Sequence, residues 1–305
     1  MPETFQVLQP GILTTIQDGG RPNAVPSGVP RGGAMDRFAL AAANLLAGNV
    51  PGAAVLECTM TGPRLVAMRD CTIAITGGDL APSVPMWTAV AMTSGDELSF
   101  AGRRSGARAY IAVGGGILGD RWLGSMSTNL MCARGGMHGR ALMAGDVISC
   151  EELLYPPEPG FALDVQHRPD YSRHSLGLIP GPHHSRLTED SREQLWSSTF
   201  TVNPRSNRMG YRLDGATLEA PGDEVLSFVL VSGAIQLPAG GQPILLMADS
   251  QTAGGYPVIA TVTSESMPFA AQLAPGDELT FEETTIEKAL RARAAQRAAL
   301  ESLTS

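Results

Sequence analysis

Three stretches of the chain set polar side chains into glycine-rich backbone, the pattern expected of a ligand site. The first is Gln17-Asp18-Gly19-Gly20-Arg21, leading to Gly33-Ala34-Met35-Asp36. The second is Asn207-Arg208-Met209-Gly210-Tyr211-Arg212-Leu213. The third runs from Gln236 to Gln242-Pro243 and then from Asp249 through Gln251, Thr252, Gly254, Gly255 and Tyr256 to Pro257. Glycine lets backbone N–H groups approach a ligand, and arginine offers a fixed fork for an anion. Asp249 and Asp36 are the candidate acid–base groups, because a carboxyl buried in such a loop can have its pKa raised. For Asp36, at the start of a helical stretch, helix capping is the competing role. Gln17, Arg21, Arg208, Tyr211, Arg212, Gln236, Gln242, Gln251, Thr252, Gly254, Gly255 and Tyr256 are the candidate substrate contacts.

Two geometries are implied. Arg208 and Arg212 lie four positions apart, so an extended backbone puts both on one face, able to hold a carboxylate or phosphate. The apolar run Ile244–Met247 separates the two polar loops of the third stretch, which can therefore converge at one end of a barrel. There, Gln and Thr would supply paired donors and acceptors for a small amide, with the Tyr256 ring as a cover. The competing account for every stretch is an internally hydrogen-bonded loop.

Other motifs point away from chemistry. Gly114, Gly116 and Gly119 spell G-x-G-x-x-G after an apolar strand, but no acidic residue or βαβ pattern follows at the right distance, so the segment reads as a turn. His183-His184 follows Pro180-Gly181-Pro182 and reads as loop histidines, with no metal site. No G-x-x-x-x-G-K-[ST] loop and no G-x-S-x-G elbow occur. Lys288, the only lysine, lies in the polar C-terminal stretch and is a poor candidate for a Schiff base. Cys58, Cys71, Cys132 and Cys150 show no C-x-x-C spacing and read as buried core thiols of a reducing compartment.

The elements that must position these residues are short. Glycine (35) and proline (22) are abundant in 305 residues, which favours a turn-rich, β-rich chain. Helices are expected at about 35–46, 188–196 and 284–303, and strands at 176–179, 199–202, 225–232, 244–247 and 278–282, among others. Thr188 is the expected N-cap of the middle helix. Ser94-Gly-Asp-Glu-Leu-Ser-Phe100 matches Pro275-Gly-Asp-Glu-Leu-Thr-Phe281, with echoes at Gly145-Asp146 and Gly222-Asp223. The shared unit is a tight turn that launches a strand. Many short strands with few helices suggest barrels or sandwiches. The net charge of −8 and the lack of a basic cluster argue against nucleic-acid or anionic-membrane partners. No signal-like or membrane-spanning apolar run occurs, which makes a cytoplasmic location the expectation.

The same stretches carry a family resemblance. Pro10-Gly-Ile-Leu-Thr-Thr-Ile-Gln-Asp-Gly-Gly-Arg21, Gly28-Val-Pro and Gly33-Ala-Met-Asp36 resemble the start of the KipA-like family. Its members are also known as C subunits of 5-oxoprolinase or as allophanate hydrolase subunit 2 domains. The likeness continues through Gly77-Gly-Asp79, Arg108-Ala-Tyr110, Gly124-Ser125 and Asn207–Leu213. It closes with Gly233–Pro238, Gly241-Gln-Pro243, Ala248-Asp249, Gln251-Thr252, Gly254–Pro257 and Ala271-Gln-Leu273, and so covers about residues 5–283.

The resemblance implies a mainly β fold of two cyclophilin-like β-barrel domains with a few short helices; the irregular, proline-rich stretch from Tyr155 to Pro169 sets the domains at 1–160 and 170–283, and the Ala/Arg/Glu-rich stretch outside the resemblance makes a C-terminal helical tail at 284–305. The resemblance also implies a subunit of an ATP-dependent 5-oxoprolinase that makes glutamate from 5-oxoproline with a KipI-like and a LamB/YcsF-like subunit, ATP being bound by the assembled complex. Two alternatives stay open. One is the carboxyltransferase part of a biotin-dependent, urea-carboxylase-type enzyme with the biotin on a separate carrier. The other is a regulatory antagonist of a KipI-like kinase inhibitor. The missing nucleotide loop and the missing nucleophile–base set fit a subunit that is inactive alone.

Overall fold

The computed structural model describes residues 2–223 and 225–304. The chain forms two compact units. Met1–Arg21, Gly32–Ser172 and Gln296–Ser305 make the first, and Pro22–Arg31 with Arg173–Ala295 make the second.

Among the described residues the first unit holds nine strands: β1 (Glu3–Gln9), β2 (Leu13–Gln17), β3 (Val55–Thr59), β4 (Arg64–Ala67), β5 (Cys71–Asp79), β6 (Ala89–Met92), β7 (Glu97–Leu98), β8 (Ser105–Val113) and β9 (Val147–Ser149). They pair as a four-stranded sheet, β7-β4-β1-β9, and a five-stranded sheet, β2-β3-β8-β5-β6. One core lies between the sheets. Phe5, Val7, Leu65 and Ile148 meet Ile16, Leu56, Ile73, Ile75, Ala109, Ile111 and Val113 there. Helix α1 (Arg37–Leu46) covers the other face of the five-stranded sheet. Successive residues of a strand point to opposite faces. On β8, accordingly, Ala109, Ile111 and Val113 join the inter-sheet core, while Tyr110 and Ala112 join α1. That is why Ala109–Val113 of β8 reads as unbroken apolar sequence. Ala39, Ala42 and Ala43 let α1 lie close, and the C-terminal Ala299 and Leu303 complete the same cluster. Gly48, at φ +80°, ends the helix as its position in the sequence suggests.

The second unit contributes β10 (Ser175–Pro180), α2 (Glu189–Ser197), β11 (Phe200–Val202), β12 (Gly210–Asp214), β13 (Phe228–Val229), β14 (Ala234–Gln236), β15 (Ile244–Leu246), β16 (Ala253–Gly254), β17 (Val258–Val262), α3 (Met267–Ala271), β18 (Glu278–Glu283) and most of α4 (Ile286–Glu301). Seven strands close a barrel in the order β10-β17-β14-β15-β12-β11-β18. Thr188 caps α2, its hydroxyl accepting from Ser191 N–H at 3.2 Å. Register fixes the two faces of the wall. Tyr211, Leu245 and Ile235 stand opposite one another on β12, β15 and β14, all almost fully buried on the interior face. Ala234 and Leu246 face outward and pack with Val258, Leu230 and Phe228. Leu230 and Phe228 belong to a small flap, since among the described residues β13 and β16 pair only with each other. Of the expected strand at 225–232, only Phe228–Val229 pairs.

The repeated turn has one geometry in three places. In Thr93–Asp96, Met143–Asp146 and Ala274–Asp277 the third residue is a glycine at φ +95°, +91° and +89°. The aspartate Oδ2 accepts from the N–H of the turn's first residue at 2.7, 2.7 and 2.9 Å. The aspartate N–H returns a bond to that residue's carbonyl. The fourth echo includes Glu224, which lies outside the described residues.

The cysteines depart from expectation. Cys58 and Cys150 are buried, but Cys71 is half-buried and Cys132 is exposed, because Cys132 falls in the loop between β8 and β9. All four are free thiols. Burial pushes the Cys71 thiol up to about 11 and the Cys150 thiol up to about 12. Among the described residues no helix is long and apolar enough to cross a membrane.

Candidate functional site

In the second unit, the ladder between β12 and β15 continues past the strand ends. Met247 N–H donates to the Met209 carbonyl at 3.0 Å, and Asp249 N–H to the Arg208 carbonyl at 2.9 Å. This brings the two side chains together as a forked ion pair, Nε to Oδ2 at 2.8 Å and Nη2 to Oδ1 at 3.3 Å. Both side chains are 9% exposed. A bidentate pair with so little water is strongly oriented. Asp249 is therefore a charge-paired carboxylate and not an isolated carboxyl in an apolar pocket.

The expected Arg208–Arg212 clamp is not formed. The chain bends at Arg208 and Met209 before β12 begins, so the even spacing no longer sets a common face. Arg208 turns to Asp249, and Arg212 is exposed on the outer face of the wall. Tyr211 is 2% exposed and faces the barrel interior, where it fills the core.

The third stretch does bring residues together. Gln251 Nε2 donates to Gln236 Oε1 at 3.1 Å, and Gly254 lies against the Gln236 amide. A Cβ on Gly254 would sit 2.9 Å from Leu230 Cδ1 and 3.2 Å from Gln236 Nε2. The Thr252 carbonyl accepts from Leu230 N–H at 2.8 Å and ties the flap down. Gln242 is drawn elsewhere, donating to Thr217 Oγ1 at 3.2 Å. Gly255 and Tyr256 are exposed, and a Cβ on Gly255 would come within 2.8 Å of the Val225 carbonyl.

In the first unit, Gln17 and Arg21 are buried braces of a loop. Gln17 Nε2 donates to Thr15 Oγ1 at 3.0 Å and to the Thr128 carbonyl at 3.2 Å. Arg21 donates from Nη2 to the Ser127 carbonyl, and its guanidinium lies 4.8 Å from the centre of the Trp122 ring. Between them, Asp18 gathers four donors: Gly20 N–H (2.7 Å), Ser125 Oγ (2.6 Å), Ser127 Oγ (2.5 Å) and Met126 N–H (2.6 Å). Gly33, at φ +88°, lets this loop close, because a Cβ there would lie 2.8 Å from Gly20 N and 2.9 Å from the Asp18 carbonyl.

Asp36 caps α1. Its Oδ1 accepts from Ala39 N–H at 2.9 Å, and its Oδ2 from the Tyr171 hydroxyl at 2.6 Å. Asp36 N–H donates to the Tyr110 hydroxyl, which itself donates to Glu57 Oε2 at 2.9 Å. Burial, reinforced by the Glu57 and Asp36 charges, pushes the Tyr110 phenol well up; burial and Asp36 do the same to Tyr171. Both phenols stay protonated donors. Trp87 packs beside them, 6.4 Å from Phe38 and from Tyr171, and keeps φ at +61° despite its bulk.

Several of these residues escape a sequence reading. Ser127, Trp122, Tyr171 and His183 are single residues in loops, without periodicity. His183 accepts from Val258 N–H through Nδ1 at 3.1 Å and lies 5.2 Å from the Phe228 ring, so it is built into the flap side of the barrel.

The glycine-rich segment at 114–119 is a turn. Its N–H groups at Gly114, Gly115, Gly116, Ile117 and Leu118 donate to Thr72 O, Asn49 Oδ1, Val113 O, Ala54 O and Ser149 O. None of these five is left to cradle a phosphate. Among the described residues no group of three or more His, Cys, Asp or Glu side chains is placed to hold a metal ion.

Comparison with known proteins places this architecture. The profile described as carboxyltransferase domain, subdomain A and B, matches residues 27–283. The chain is 35% identical over 306 residues to the C subunit of 5-oxoprolinase from Escherichia coli strain K12, covering 98% of this chain and 97% of that one. It is 33% identical over 297 residues to the corresponding 5-oxoprolinase protein of Haemophilus influenzae, also a C subunit, covering 95% and 94%. Among solved structures it superposes on the K. lactis urea amidolyase with a TM-score of 0.93 and 30% identity over 99% of this chain. It spans only 20% of that much longer protein.

Proposed function

The chain belongs to the carboxyltransferase family of subdomain A and B type, and from that premise we propose that it is the C subunit of a 5-oxoprolinase. In this reading the assembled enzyme uses ATP to open the lactam of 5-oxoproline and release glutamate. One observation carries it: the two bacterial 5-oxoprolinase proteins match this chain from end to end, at 98% by 97% and 95% by 94%. The urea amidolyase likeness, by contrast, is to one-fifth of a larger protein.

The side chains support a shared site. Asp249, oriented by Arg208, is an acceptor for a substrate N–H or a water and completes its chemistry only with groups from other subunits. Asp36 is left out of the chemistry, since both its oxygens are engaged by α1 and Tyr171. In this reading ATP is bound by the assembled complex; the N–H groups of the 114–118 turn are already bonded within the chain and do not cradle its phosphates. The partners in this reading are a KipI-like and a LamB/YcsF-like subunit, and the complex works in the cytoplasm.

The TM-score of 0.93 to urea amidolyase supports a second reading, a carboxyltransferase component served by a separate biotin carrier. One experiment separates the two. The chain is co-purified with its KipI-like and LamB/YcsF-like partners and assayed for glutamate released from 5-oxoproline and ATP, and in parallel for carboxylation of urea with a biotin carboxylase and its carrier. Glutamate release that requires all three subunits supports the first reading; urea carboxylation without glutamate release replaces it with the second.

A further inference from the structure

Gln236 ends β14 on the outer face of the barrel and is 1% exposed. Its Oε1 accepts from Gln251 Nε2 at 3.1 Å. Its Nε2 is buried and has no hydrogen-bond partner among the described residues. A buried donor left unpaired destabilises a fold and calls for an explanation, often a missing ligand. The surroundings suit one. Leu230, Phe228, Val258 and Ile244 form apolar walls. Gly254 leaves only backbone over the amide, since a Cβ there would press on both Leu230 and Nε2.

The cover over this spot is slight. It is the two-residue pairing of β13 with β16, fastened by the Leu230 N–H to Thr252 carbonyl bond. Its outward residues Leu226, Val229 and Val231 are 89%, 73% and 57% exposed, so little packs on it from outside. At its edge stands His183. Because Nδ1 accepts from Val258 N–H, the proton of the neutral ring is on Nε2, which makes His183 a second neutral donor.

We propose that the flap covers a subsite for the carbonyl oxygen of a small neutral amide, with Gln236 Nε2 as its donor and His183 at its rim. Gln251, which bonds to the Gln236 amide, and Gly254, which lies against it, carry no charge. A carboxylate would lose its hydration there without a cation in return, whereas an amide carbonyl loses far less. The proposal deepens the 5-oxoprolinase reading and takes from it only the identity of the amide, a lactam.

The test uses the full chain labelled with 15N, with 2-pyrrolidinone, a lactam without a carboxylate, as the probe. The Gln236 side-chain NH2 signals are assigned by their loss in Gln236→Met. Addition of 2-pyrrolidinone is expected to shift those signals and to give saturable binding. Gln236→Met, which replaces the unpaired amide by an isosteric apolar chain, should weaken binding at least tenfold while the melting temperature holds or rises. Gly254→Ala, which keeps Gln236 but fills the space above it, should weaken binding as well. The proposal is overturned if 2-pyrrolidinone leaves the Gln236 signals in place, or binds Gln236→Met as tightly as the parent chain. Lactam binding that depends on Gln236, in a chain whose full assembly releases no glutamate, would sink the 5-oxoprolinase reading and leave the subsite standing. Glutamate release with unaltered lactam binding in Gln236→Met would do the reverse.

Discussion

Replacing Asp249 by Asn perturbs the buried ion pair with Arg208. The change keeps the side-chain shape and removes one charge. Arg208 would then lose the carboxylate charge that faces it at 9% exposure, with one of its two bonds to that side chain reduced to a neutral one. Removing one partner of a buried pair costs about 3–5 kcal/mol, and the isosteric Asn should fall at the lower end. For a unit of this size, about 3 kcal/mol corresponds to a fall of roughly 10 °C in melting temperature. Differential scanning calorimetry on the isolated chain measures it directly. A double variant, Arg208→Met with Asp249→Leu, should recover most of the loss, because neither half of the pair is left behind and the volume is kept. Melting of Asp249→Asn within about 2 °C of the parent chain, or a double variant worse than the sum of the single changes, would refute this.

Gly33→Ala should destabilise the first unit by about 2 kcal/mol or more, since a Cβ at φ +88° would sit 2.8 Å from Gly20 N; urea unfolding with an unchanged midpoint would count against this. Tyr171→Phe removes the 2.6 Å bond to the buried Asp36 carboxylate and should cost about 1.5–3 kcal/mol by the same method. Asp146 sets an acid limit. The Arg140 guanidinium, bonded through two nitrogens at 2.7 and 2.8 Å, holds the Asp146 carboxyl below the usual carboxylate range. Its stabilising contribution is therefore complete above the unfolded value near ~4 and disappears as pH falls toward the lower folded value. Arg140→Ala should flatten the stability–pH curve in that acid window and leave its slope near pH 7 unchanged; equal slopes in parent and variant below pH ~4 would contradict the assignment.

What can be read from the sequence depends on how local each cause is. The ends of α1 are legible because Asp36 and Gly48-Asn49 act through bonds within a turn of the helix. The Ser-Gly-Asp and Pro-Gly-Asp matches are legible because the turn closes on its own aspartate. The burial of β8 on both faces shows as the continuous apolar run Ala109–Val113. The features that stay hidden depend on distant partners. Arg208 and Arg212 share a spacing, but the bend at Arg208 and its pairing with a residue 41 positions away decide where each points. Tyr211 and Tyr256 look alike in polar loops, yet one is a core residue and the other is half exposed, since only strand register separates them. His183 reads as a loop histidine because nothing nearby in sequence reveals its bond to Val258. The brace of Asp18 by Ser125 and Ser127, more than 100 positions away, is equally invisible to local spacing.

The most direct test of the proposed function is glutamate release from 5-oxoproline and ATP by the reconstituted assembly, measured with each subunit omitted in turn. Turnover is expected only when this chain and both partners are present, with none from this chain alone. Full turnover by this chain alone, or unchanged turnover when it is left out, would contradict the proposal.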